Sequence, residues 1–139
     1  MKQACFVVAL LIGAAAPAAD WIPLPPAKGF SHPMPEFVDL SSLRITGAVR
    51  RVSLKQVPQP HTLTGAFTDK HKTDWIVFSM YSFDLNCETS EFRTMSLFVG
   101  FENGDTESMP DFKDAHAWKP VRINTFDRGD FDFICNLKP

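Results

Sequence analysis

Two runs of alternating side chains dominate the chain. From Trp75 to Phe83, Trp75, Val77, Ser79, Tyr81 and Phe83 interleave with Ile76, Phe78, Met80 and Ser82. From Phe92 to Phe101, Met95, Leu97, Val99 and Phe101 interleave with Phe92, Thr94, Ser96 and Phe98. Aromatic and β-branched residues at a period of two suit a pleated surface, so these runs predict a central β-hairpin. Asp84 to Glu91 connect them, and Asn103-Gly104 is a turn pair at the far end.

Weaker patterns flank the hairpin. Trp21-Ile22 starts an edge strand within a proline-rich stretch, since prolines withhold backbone donors from a ladder. Phe37 to Leu43 is a short apolar strand, and Thr46-Gly47 breaks the pattern. Ala48 to Val57 alternates again, with Val52 and Leu54 on one side and Arg51, Ser53 and Lys55 on the other, as expected of a strand with one wet face. Thr62 to Thr73 is polar and predicts a solvent-facing connection. Asp105 to Ala117 is acidic and turn-rich and predicts a long loop or a ragged turn, and Trp118 to Asn124 an extended stretch. The last segment carries two patterns. Thr125 is placed to cap a helix over Phe126 to Ile134 with Phe126, Phe133 and Ile134 inward and Asp127, Arg128 and Asp130 wet; the alternation of Phe131, Phe133 and Cys135 fits an edge strand instead.

The N-terminus changes the compartment. Met1-Lys2-Gln3, an apolar run from Ala4 to about Ala15, and Ala16-Pro17-Ala18 have the order of a secretory signal, predicting cleavage after Ala18 and a single domain over residues 19–139. The apolar run is shorter than the roughly 20 residues of a membrane-spanning helix, so no transmembrane span is expected in the mature form, which would be periplasmic or secreted. Removing residues 1–18 leaves Cys87 and Cys135, and two cysteines in an exported chain predict one disulfide. They lie 48 residues apart, and closing such a loop restricts the unfolded chain by roughly 4 kcal/mol in the chain-entropy picture.

Charge and motifs narrow the chemistry. Fourteen basic residues against sixteen acidic ones give a net −2, without the basic excess of a nucleic-acid binder. His32, His61, His71 and His116 are too scattered for a compact metal-ligand pair, no Gly-x-Ser-x-Gly elbow occurs, and no glycine-rich phosphate loop or other cofactor motif is present. Asp127, Asp130 and Asp132 offer a carboxylate cluster for glycosidic chemistry, which solvated acids beside turns also explain. Trp21, Trp75 and Trp118 are candidates for a ligand cleft or for core. Arg50, Arg51 and Lys55, with Lys70 and Lys72 in the next connection, form a candidate basic patch for an acidic partner, or the wet face of an ordinary sheet.

In order along the mature chain stand Trp21; Phe37-Val38-Asp39 with Ser41 and Ser42; Tyr81-Ser82-Phe83-Asp84-Leu85-Asn86-Cys87; Arg93-Thr94-Met95-Ser96; Asn103-Gly104; Trp118-Lys119-Pro120-Val121; Asn124-Thr125; and Ile134-Cys135. This series resembles the surface-adhesin protein E-like family of bacterial exported proteins. The resemblance implies an α+β, mostly β fold, an antiparallel sheet packed by a short C-terminal helix, here with one disulfide. It also implies a non-enzymatic binding protein whose partner is another protein, such as a host matrix or serum protein. The chain departs from the adhesin type in lacking a usable lipidation cysteine, since only four residues precede Cys5. A periplasmic inhibitor or envelope-stress protein is the alternative expectation.

Overall fold

The computed structural model describes residues 18–25, 34–64, 69–109, 115–122 and 128–138. Almost all of the expected signal segment, His32 and Asp127 lie outside these. Among the described residues, seven strands form one antiparallel sheet: β1 (Trp21–Pro23), β2 (Glu36–Thr46), β3 (Val49–Gln56), β4 (Ile76–Asn86), β5 (Glu91–Phe101), β6 (Thr106–Met109) and β7 (Lys119–Pro120). β1 to β6 lie side by side in chain order, and β7 pairs with β5 at Glu91 and Phe92. One helix, α1 (Arg128–Cys135), follows. The expected mostly β architecture with a short C-terminal helix is thus the observed one.

Local chemistry explains the turns. Gly47 at φ +58° is the first of the two residues linking β2 to β3, where a type II′ hairpin turn favours glycine. Between β4 and β5, Asn86 Oδ1 accepts from the backbone N–H groups of Glu88 and Thr89 and curls the chain back. The turn itself is only residues 87–90, so Asp84, Leu85 and Asn86 belong to the strand and not to the connection expected from the sequence. At the other end Asn103 Oδ1 accepts from Asp105 N, and the chain continues into β6 where a loop was expected. Thr106 and Ser108 are exposed and the strand is four residues long, too short and too polar for alternation to reveal it.

The helix defines an inner and an outer sheet face. Phe131 and Ile134 pack on Val38, Val52, Leu54, Phe83, Leu85 and Phe92, with Leu40, Leu43, Phe133 and Tyr81 at the margin. Each fully buried side chain of this size contributes about 1.5–3 kcal/mol relative to exposure. Asp130, expected to be wet, is buried on the same helix, because three of its eight residues are held against the sheet. A second inner cluster, Ile76, Leu97, Val99 and Phe101, continues the core along β4 and β5, bridged by Tyr81, whose hydroxyl burial pushes above its ordinary pKa.

Three irregularities set which residues face inward. Val77 is an extra residue between the Ile76–Phe101 and Phe78–Gly100 pairs, and Met95 one between the Ser82–Ser96 and Phe83–Thr94 pairs. Strict alternation would separate Ile76 from Tyr81 and Phe92 from Leu97; the bulges bring each pair to the inner face. In β2 the register jumps between Asp39 and Arg44. Asp39 Oδ1 accepts from Asp20 N, Ser41 N and Ser41 Oγ, and Ser42 Oγ donates to Asp39 O while accepting from Ser53 N, so the bulged backbone keeps its partners.

The disulfide joins the β4–β5 turn to the last helical residue: Cys87 and Cys135 are bonded, with Cα atoms 5.7 Å apart. An eight-residue helix is far below the length that persists alone in water. Its place is held by Phe131, Ile134 and this covalent link.

Candidate binding face

The outer face is the candidate site, built from side chains that pairing fixes. Arg51 of β3, Asp84 of β4 and Arg93 of β5 are direct cross-strand neighbours. Arg51 donates from Nε to Asp84 Oδ1 at 2.6 Å and from Nη2 to Oδ2 at 2.8 Å; Arg93 donates from Nε and Nη2 to Oδ2 at 3.0 and 2.8 Å. The Asp84 side chain is 1% exposed, a burial that costs several kcal/mol for a lone carboxylate and is offset here by four charged donors. The hydrogen bond from Arg51 holds the Asp84 carboxyl below its ordinary value against the opposing effect of burial, and Arg93 adds to the depression. Reciprocally, Asp84 raises the Arg51 pKa. Trp118 lies against the Arg93 guanidinium, 4.6 Å from ring centroid to Cζ, fixing its plane.

Farther along the same strands the face becomes apolar. Lys55 pairs with Phe37 on one side and Met80 on the other, and Met80 pairs with Phe98. The Lys55 ammonium sits 5.2 Å from the Phe78 ring centroid and 6.0 Å from that of Trp21. Phe78 lies flat over Gly100, where an added Cβ would overlap its ring. This is why a strand-interior glycine is needed there, as the absence of a side chain lets the ring close onto the backbone.

The five basic residues singled out from the sequence are divided by the fold. Arg51 and Lys55 share the outer face, as their alternation implied. Arg50 pairs with Leu85 on the inner side, and its Nη1 donates to Gly47 O. Lys70 lies within the short 3-10 turn Asp69–His71 and Lys72 just after it, and Lys70 reaches Asp105 at 2.8 Å, which raises the Lys70 pKa and lowers that of Asp105. Sequence reasoning missed Asp84 and Arg93, because Asp84 stood in the expected connection and only register brings an arginine from each side onto it, while Trp118, a cleft or core candidate in the sequence, lies instead against Arg93.

The other candidates disperse. Trp21 lies on β1 and Trp118 beside β5, four strands or roughly 19 Å across the sheet, and Trp75 stands under His61, so the tryptophans line no common cleft. Asp130 is buried and Asp132 exposed and paired with Arg128; two apart on a helix, they do not face each other. Contrary to the solvent-facing expectation for Thr62 to Thr73, His71 is 2% exposed, stacked 4.0 Å from Phe101 with Nδ1 2.7 Å from Asp74 Oδ2. Among the described residues no group of three or more His, Cys, Asp or Glu is placed to hold a metal ion, and no helix is long and apolar enough to cross a membrane.

Compared with known protein families, curated proteins and solved structures, the chain matches none of them.

Proposed function

We propose that this chain is an exported bacterial binding module, acting by recognition of a protein partner, of the kind that the surface-adhesin protein E-like resemblance implies. The observation that carries the reading is the asymmetry of the sheet. One face is closed by a disulfide-tethered helix, while the other presents partly exposed Phe37, Phe78, Met80 and Phe98 beside a rigid arginine–aspartate ladder. Aromatic residues, methionine and arginine on a rigid surface are the side chains that protein interfaces favour. The disulfide agrees with an oxidising compartment, the periplasm or the medium.

The experiment is binding of the purified mature protein to immobilised vitronectin and laminin. Saturable binding at micromolar concentration is expected, and none at such concentrations removes the host-matrix version. Mass analysis of the protein recovered from periplasm and medium checks the export half: a mature N-terminus at Ala19 and no free thiols are expected, against an uncleaved, reduced chain retained in the cytosol.

A further inference from the structure

The arginine–aspartate ladder extends one strand farther than its ion pairs. Arg44 of β2 is the direct cross-strand partner of Arg51, so Arg44, Arg51, Asp84 and Arg93 form one row across β2, β3, β4 and β5. At about 4.8 Å per strand the row is roughly 14 Å long. It sets three guanidinium groups against one carboxylate, a local surplus of positive charge on a chain whose net charge is −2.

That surplus is not consumed within the described residues. The Asp84 carboxylate already takes all its donors from Arg51 and Arg93, and Arg44, which is exposed, donates from Nη1 to the carbonyl oxygens of Ser41 and Leu43. Arg51 keeps its side chain 51% exposed while two of its donors hold Asp84. Like charges directly opposite in a ladder are unfavourable for folding. Arg44 against Arg51 is such a pair, and an anion laid between them would relieve it.

What kind of anion follows from the rest of the face. Along the strands, the row of Ser53, Ser82 and Ser96 comes next, and then Phe37, Lys55, Met80 and Phe98, four residues or roughly 13 Å from the arginines. A sulfated polysaccharide would engage the basic row alone, whereas a polypeptide carrying both carboxylates and apolar side chains matches both rows. Resting on the binding-module reading above, we propose that this face binds an acidic, partly apolar segment of its protein partner, with carboxylates on Arg44 and Arg51 and apolar side chains against Phe78, Met80 and Phe98.

The test is fluorescence anisotropy of the mature, oxidised protein with a fluorescein-labelled peptide in which glutamate alternates with leucine, and with a sulfated heparin oligosaccharide as competitor. Saturable peptide binding is expected, weakened about tenfold by Arg44→Glu and about fivefold by Phe98→Ser, and unchanged within about twofold by Lys138→Glu at the far end of the chain. Arg44 holds no buried charge and its variant is expected to keep the wild-type circular dichroism spectrum. Affinity should also fall as salt is raised, since the arginines are partly exposed.

No saturable binding to the peptide, or binding that Arg44→Glu leaves intact, overturns the proposal. So does Arg44-dependent binding of the oligosaccharide without the peptide, and so does loss through Arg44→Glu with no effect of Phe98→Ser. Vitronectin and laminin separate this from the broader reading. Binding of either that both variants leave unchanged overturns this surface and leaves the module standing. Peptide binding through both rows with neither host protein bound supports the surface and removes the host-matrix version.

Discussion

The two faces of this sheet are made by the same strands and obey opposite rules. On the inner face Val38, Val52, Leu85 and Ile134 are fully buried, and their neighbours exclude water without needing any particular orientation. On the outer face the deepest group is a carboxylate, and every atom around Asp84 is oriented by register and hydrogen bonding. Inner-face stability therefore scales with area and tolerates swaps of similar volume. The outer ladder stabilises only while all its members are present, since removing one leaves charge without a partner. A face of the first kind is suited to holding a fold, and one of the second kind to presenting fixed donors to something else.

The largest expected effect tests the inner side. Replacing Cys87 and Cys135 by serine should lower stability by about 4 kcal/mol, from the 48-residue loop they close, which for a domain of this size is a fall in Tm of about 12–25 °C. Calorimetry of the oxidised and double-serine proteins measures it. A shift of only a degree or two would mean that α1 stays docked through Phe131 and Ile134 alone.

Next comes the ladder itself. Asp84 has a folded pKa depressed below the ordinary 3.8, so its contribution is fully present above that value and is lost as pH falls through the lower folded value. Urea unfolding at neutral pH and at successive steps below about pH 4 should show stability falling in the wild type, and a shallower fall in Asp84→Asn, which is itself less stable by about 1.5–3 kcal/mol at neutral pH, the worth of hydrogen bonds to a charged group, because the arginines it leaves are partly exposed. Identical pH profiles for the two proteins would show that other carboxylates govern the acid transition.

The smallest effect sharpens the comparison at one residue. Gly100→Ala should cost about 1–2 kcal/mol, read as a lower denaturation midpoint, because the new methyl must push the Phe78 ring off the backbone. On the inner face an added methyl has no route outward; here the ring can swing toward solvent, and Phe78→Ala in the Gly100→Ala background should remove most of the extra cost. A Gly100→Ala protein as stable as wild type would mean the ring is not held closely.

Where the chain announces itself in sequence and where it does not follows the same division. The hairpin, the wet and dry sides of β3 and the pairing of Cys87 with Cys135 were legible because period, turn chemistry and cysteine count are local features, whereas the closing helix was one of two patterns its segment carried. Asp84 was not, since a carboxylate between an apolar run and a cysteine looks like a turn until Arg51 and Arg93 arrive from strands 33 and 9 residues away. Burial of His71 and Asp130 was hidden for a related reason: stacking on Phe101 and the packed side of α1 are tertiary facts that polarity alone argues against. The strand β6 was too brief and too polar to carry a period.

Met95 gives the arrangement a further property. This one extra residue in β5 allows Phe92 and Leu97, an odd number of positions apart, to point the same way, and it also lets Arg93 and Ser96 share the opposite side. It acts as a phase shift in the strand. A single deletion there would exchange a ring and a cation between the dry and wet sides at one stroke, so the charged ladder and the hydrophobic seal are tied to the same backbone count and neither can drift without the other.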